Sequence, residues 1–203
     1  MSKKHVYIGV VTILGLLLAA HFIMPISEDF ADKNLISLNA DDGPAVSAPL
    51  PDGTLGEFAT RYGAYPKNRG SNIQLASDQI DGVIVLPGQV FSFNDAVGPT
   101  TKANGFKLAR TFIKGKDTRG YGGGVCQVST TLYNAALMAG MEILERHAHS
   151  KPVGYVAEDR DAATSYGSMD FKFRNNLPYP VRVNSAVENV EKKNQIKISI
   201  TKV

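Results

Sequence analysis

One cysteine occurs in this chain, Cys126, in the run Gly122-Gly-Gly-Val-Cys-Gln-Val-Ser-Thr-Thr-Leu-Tyr-Asn-Ala135. A lone thiol makes no internal disulfide. It is a reactive free group, half of an intermolecular bridge, or an inert small hydrophobe. Apolar residues at Val128, Leu132, Ala135, Ala136 and Ala139 recur at helical spacing, which predicts a helix over 125–139 with Cys126 at its opening. Unpaired N–H groups and the helix dipole favour the thiolate there, and the thiolate is the nucleophile. Glycines at Gly123 and Gly124 let a substrate backbone come close, and the adjacent N–H groups are suited to hold an oxyanion. A plain flexible loop is the alternative reading of the glycines. A phosphate-binding loop is not, because the run lacks the following Lys-Ser/Thr.

Two histidines follow in Glu145-Arg-His-Ala-His-Ser150. A helix from Cys126 to Gly140 measures about 21 Å, and the chain from Gly140 to His149 spans about 30 Å if extended, so an imidazole can return to the thiol as general base and then acid. On a strand His147 and His149 share a face. His149 has more chain with which to reach back and is the preferred base; a surface position is the competing account of His147. Asp159 and Asp161 in Glu158-Asp-Arg-Asp161 are candidates to orient the base, with Arg160 as a carboxylate clamp. The same stretch also reads as a charged turn. Gln127, Ser129, Thr130 and Asn134 give the helix a polar side, which either faces substrate or makes hydrogen bonds near the helix start. One Cys with a His-x-His pair lacks the second Cys or further His of a zinc site, so no metal and no cofactor are expected.

The elements that must position these groups are mixed in kind. Ser71 is placed to cap a short helix carrying Ile73, Ala76 and Ile80, closed by Gly82. Val83–Leu86 and Gln89–Phe93 read as strands on either side of the turn dipeptide Pro87-Gly88. Phe171/Phe173 and Ile196/Ile198/Ile200 alternate, as inward-facing strand residues do. Glu191–Asn194 is expected at a hairpin tip between Val181–Val190 and Gln195–Val203. The expected fold is α+β: a single compact domain over 56–203, with an antiparallel sheet and a central helix starting at the Cys.

Ahead of this domain, Val6–Met24 is almost uninterrupted apolar sequence, long enough at about 28 Å to cross a bilayer core. Lys3 and Lys4 hold its start in the cytoplasm by the positive-inside rule and send the rest out. Leu18 sits where a cleavage site wants a small residue ahead of Ala19-Ala20, so an uncleaved signal anchor over 1–25 is preferred to a cleaved signal peptide. Residues 26–55, with Pro44, Pro49 and Pro51 and no apolar period, read as an extracytoplasmic linker. The formal charge of +3 includes those two lysines, and no basic stripe points to nucleic acid. With 43% hydrophobic and 20% charged residues among 203, the composition is that of a globular protein. Oligomeric state is not legible.

The Gly122–Ala135 run, Glu145–Ser150 and Asp170-Phe-Lys-Phe-Arg-Asn-Asn176 closely resemble the VanW family, as do Pro87-Gly-Gln-Val-Phe-Ser-Phe-Asn94 and Val97-Gly98. The resemblance covers about Gly56 to Pro180. Asp159 departs from it, standing where the family commonly has Gly; Asp161 matches. The family's link with vancomycin resistance implies a cell-wall role, and some members have been connected with L,D-transpeptidation. The resemblance therefore implies peptidoglycan stem peptides as partner. It implies acyl transfer through Cys126 with His149 as proton shuttle, making 3-3 cross-links. A stem-peptide endopeptidase using the same nucleophile, and a non-catalytic wall-binding domain, are the alternatives.

Overall fold

The computed structural model describes residues 53–63, 66–113, 116–190 and 193–203. The apolar run Val6–Met24 and all but the end of the expected linker lie outside the described residues. Among the described residues no helix is long and apolar enough to cross a membrane. In chain order the elements are β1 (Thr54–Tyr62), α1 (Lys67–Ile80), β2 (Ile84–Val85), β3 (Val90–Ser92), α2 (Phe93–Val97), β4 (Leu108–Ile113) and β5 (Lys116–Tyr121). Then come α3 (Val125–Met138), β6 (Glu142–Glu145), β7 (Lys172–Arg174), β8 (Val181–Val190) and β9 (Lys193–Lys202). The fold is α+β, with antiparallel sheets and few helices.

The period-2 apolar residues decide the largest sheet. Ile196, Ile198 and Ile200 on β9 are fully buried, as are Val181 and Val183 on β8. β9 lies between β8 and β1, antiparallel to both, and β2 extends the far edge in the order β1-β9-β8-β2. The sheet's apolar face is covered by α1, which packs on β8, and by α3, which packs on β1 and β9. Each buried Ile is worth roughly 1.5–3 kcal/mol in apolar surface removed from water. Close approach of α3 to β1 requires Gly56, where a Cβ would run into the backbone of Ala135 and Ala139.

A smaller sheet, β3-β7-β6, carries Phe91 and Phe173, whose rings stack at 5.0 Å between centroids. β4 and β5 form a separate ribbon leading to the glycine run. The strands flanking Pro87-Gly88 belong to different sheets, since β2 pairs with β8 and β3 with β7. Buried Asn175 holds that crossing: its Nδ2 donates to the carbonyls of Val85 and Tyr179, 2.9 Å each, and its Oδ1 accepts from Leu177 N–H at 3.0 Å.

Local details differ from the sequence expectation at two places, the start of α1 and the β8–β9 hairpin. Ser71 does not cap α1; it lies a turn inside and donates back to the Lys67 carbonyl at 3.2 Å. Pro66 occupies the N-cap instead, with the extended backbone that a helix entry uses (φ −75°, ψ 143°). The β8–β9 ladder runs on to Val190 opposite Lys193, so Lys193 and Asn194 are strand residues rather than tip residues. Residues 191 and 192 lie outside the described residues.

Candidate functional site

The head of α3 is built by glycines that pack against their own chain. Gly124 is the N-cap, with φ 111° in the left-handed region, and a Cβ there would press on Arg69 and Ile73 at 3.0 and 3.1 Å. A Cβ on Gly123 would run into the Arg110 carbonyl on β4. Gly123 is therefore used to seat the loop on β4, not to admit a substrate backbone, which corrects that expectation. Buried Asn72 of α1 fixes the same loop. Its Nδ2 donates to the carbonyls of Lys107 (2.9 Å) and Gly123 (3.0 Å), and its Oδ1 accepts from Lys107 N–H (2.8 Å).

Cys126 is the second residue of α3, within the turn whose N–H groups have no intrahelical partner. Its thiol is mostly buried and donates to the Thr164 carbonyl at 3.4 Å, with Thr164 Oγ1 at 3.9 Å. His149 comes back beside it. Burial pushes the thiol up, but interaction with the His149 imidazole and with Thr164 outweighs this and holds it below its ordinary range. Burial likewise works against the imidazolium, and Cys126 and Asp161 together more than offset it, so His149 is raised. Each group thus favours the charged form of the other.

Asp161 fixes the imidazole. One carboxylate oxygen, Oδ2, accepts from both His149 Nδ1–H and His149 backbone N–H, each at 2.6 Å. The other, Oδ1, accepts from Arg146 at 2.7 Å, and Arg146 Nε also donates to the Asp161 carbonyl at 2.6 Å. With Nδ1 held, Nε2 is left for the thiol. Burial opposes ionisation of Asp161, but the hydrogen bonds from His149 and the charges of His149 and Arg146 keep its carboxyl below the usual range.

The polar side of α3 holds Asp161 in place and does not face substrate. Gln127, Ser129, Thr130 and Asn134 are all fully or nearly fully buried. Ser129 donates to the Ala162 carbonyl at 2.7 Å, Thr130 Oγ1 accepts from Ala162 N–H at 3.0 Å, and Asn134 donates to the Arg160 carbonyl at 2.7 Å. Segment 160–162 has no strand partner to satisfy its backbone, so helix side chains supply the bonds. Gln127 points the other way, donating to Thr60 Oγ1 (2.9 Å) and the Arg61 carbonyl (3.0 Å) and accepting from Arg69 (2.7 Å).

Two further expectations are corrected by geometry. His147 does not share His149's surroundings: its backbone bridges to Ala163 and its Nε2 pairs with Glu145 at 2.9 Å. Its side chain is 38% exposed against 13% for His149. Arg160 is not the carboxylate clamp; only its backbone carbonyl is engaged with α3, and Arg146 makes the ion pair with Asp161. Asp159 is exposed and adopts φ 61°, a conformation that glycine takes without strain. Sequence reasoning missed Arg146, although it sits inside the quoted motif, and also Thr164, Tyr155 and Arg69. Tyr155 is raised beyond the ordinary phenol range by burial first and then by the charge of Cys126. A cavity of about 200 Å³ under the 148–161 loop has His149 and Asp161 in its wall. Among the described residues no group of three or more His, Cys, Asp and Glu is arranged to hold a metal ion.

Fold and site together define an α+β domain with a Cys–His–Asp constellation at the head of its central helix. The chain belongs to the VanW-like protein family, whose model matches residues 68–200. It is 42% identical over 129 residues to the uncharacterized protein YoaR of Bacillus subtilis, covering 64% of this chain and 43% of that one. It is 33% identical over 116 residues to the vancomycin B-type resistance protein VanW of Enterococcus faecalis, covering 55% of this chain and 42% of that one. The alignments thus span about two fifths of each relative's length. No solved structure matches this chain.

Proposed function

We propose that this chain is a cell-envelope acyl transferase acting on peptidoglycan stem peptides, with L,D-transpeptidase chemistry that forms 3-3 cross-links. The observation that carries the reading is the line Asp161–His149–Cys126 at the start of α3. The Cys126 thiolate attacks the carbonyl between the third stem residue and the terminal D-Ala. A C–S bond forms, and the tetrahedral oxyanion is met by N–H groups at Gly124 and Cys126. The C–N bond then breaks, and the departing amine of D-Ala takes the proton from His149. The side-chain amine of a second stem attacks the thioester, His149 accepts its proton, and the thiolate leaves as the new amide forms. Asp161 keeps Nδ1–H engaged throughout and so presents Nε2 to both steps.

In this reading the apolar run Val6–Met24 anchors the chain by a single membrane pass, with the domain on the outer face beside its substrate. The similarity to a vancomycin B-type resistance protein supports a role connected with vancomycin resistance. The test is incubation with disaccharide-tetrapeptide muropeptides followed by mass spectrometry. Dimers one D-Ala short, absent with Cys126→Ala, are expected. Dimers that persist in that variant would sink the mechanism. Tripeptide without dimers would mean that water, not amine, resolves the thioester.

A further inference from the structure

Arg69 is a half-buried cation beside the thiol that no carboxylate neutralises among the described residues. One guanidinium nitrogen donates to Gln127 Oε1 at 2.7 Å, its face lies over the Tyr62 ring at 5.9 Å, and its stem packs against Gly124. Gln127 is itself locked by Thr60 and the Arg61 carbonyl, so it fixes the guanidinium without cancelling its charge. The ionisable groups acting on Arg69 are Tyr155, Tyr62 and Cys126, none of them a carboxylate. Among the described residues its one side-chain hydrogen bond is that to Gln127. A guanidinium removed from water in this way gains most from an anion brought by a ligand, and its planar fork fits a carboxylate.

We propose that Arg69 receives the free C-terminal carboxylate of the donor peptide, so that the site takes a peptide whose scissile bond is its last one. The proposal rests on the acyl-transfer reading of Cys126. When the sulfur attacks the carbonyl of a terminal peptide bond, the leaving residue's carboxylate lies two bonds beyond the scissile nitrogen. That is roughly 5–6 Å from the sulfur by covalent geometry, and Arg69 is held against Gly124 and Gln127, the residues that flank Cys126 at the helix head. An internal peptide bond has an amide there instead of an anion and leaves the guanidinium unpaired.

The test is binding to the full-length chain in detergent carrying Cys126→Ala, where no thiolate exists for Arg69 to act upon. Calorimetry compares a synthetic stem tetrapeptide ending in D-Ala with its C-terminal carboxamide. The acid is expected to bind roughly 30-fold tighter than the amide, the ratio for a charge-assisted pair. Adding Arg69→Gln brings the ratio to about one, and Arg69→Lys retains part of it. Thermal melting of both variants confirms that they fold. Equal binding of acid and amide, a preference that survives Arg69→Gln, or binding of neither peptide overturns the proposal. The muropeptide assay separates the two ideas. Dimers without acid preference sink the role of Arg69 alone, and acid preference without dimers sinks acyl transfer alone.

Discussion

Cys126 and His149 shift each other's titration in opposite directions, the thiol down and the imidazole up, because each stabilises the charged form of the other. Alkylation by iodoacetamide followed against pH reads this pair directly. The wild-type thiol is expected to react at lower pH than a free cysteine, and His149→Ala to move the midpoint upward. His149→Ala is also expected to lower turnover by roughly 10²–10⁴-fold, the usual contribution of a positioned acid–base group. An unchanged alkylation profile in His149→Ala would show that the two side chains do not communicate. His147 is the contrast. It resembles His149 in sequence, yet Glu145 and Lys172 form its surroundings. What distinguishes the two histidines is the carboxylate each meets, Glu145 for His147 and Asp161 for His149.

At the scale of elements, α3 works as a beam with two differently engaged sides. Its apolar residues Val128, Leu132, Ala135 and Ala136 enter the core, while Ser129, Thr130 and Asn134 grip segment 160–162 and keep Asp161 against His149. From α1, Asn72 does the same for the glycine loop. Asn72→Ala removes three hydrogen bonds and leaves the buried Gly123 carbonyl and the Lys107 N–H unmet, so urea denaturation is expected to show a loss of roughly 2–3 kcal/mol. On the smaller sheet, hydrogen bonds from Lys172, from His147 and from Asp170 N–H hold the Glu145 carboxyl at about 2. A carboxyl depressed by folding adds stability above its ordinary range, and that stability is lost as pH falls from about 4.5 towards 2. Glu145→Gln should therefore melt earlier than wild type at pH 7, with the difference closing near pH 2. A gap that stays constant across this range would exclude the linkage. The helix over 125–138 and the strand pair β8–β9 were legible because both carry their period openly. β1 and β6 were not, since their residues are mostly only half-buried and their pairing partners lie far away in the chain.

The described domain as a whole depends on an interior where Ile196, Ile198 and Ile200 meet the two long helices. Ile198→Ala is expected to cost roughly 2–5 kcal/mol in chemical denaturation, the range for a large-to-small change at a fully buried site. A loss below about 1 kcal/mol would mean that the sheet and helices are not packed as one core. By itself the sequence determined the α+β class, the helix with Cys126 at its opening, the inward strand faces and the motifs of the family. Those features are written in local periodicity and residue type, which do not need a partner to be read. Tertiary structure alone decided which histidine meets the thiol and which arginine holds Asp161. It turned the polar side of α3 inward and left Arg69 at the helix head without a carboxylate partner among the described residues. Each of those outcomes joins residues separated by 15 or more positions, and each is set by where buried backbone groups and charges find their partners once the sheet has closed on the helices.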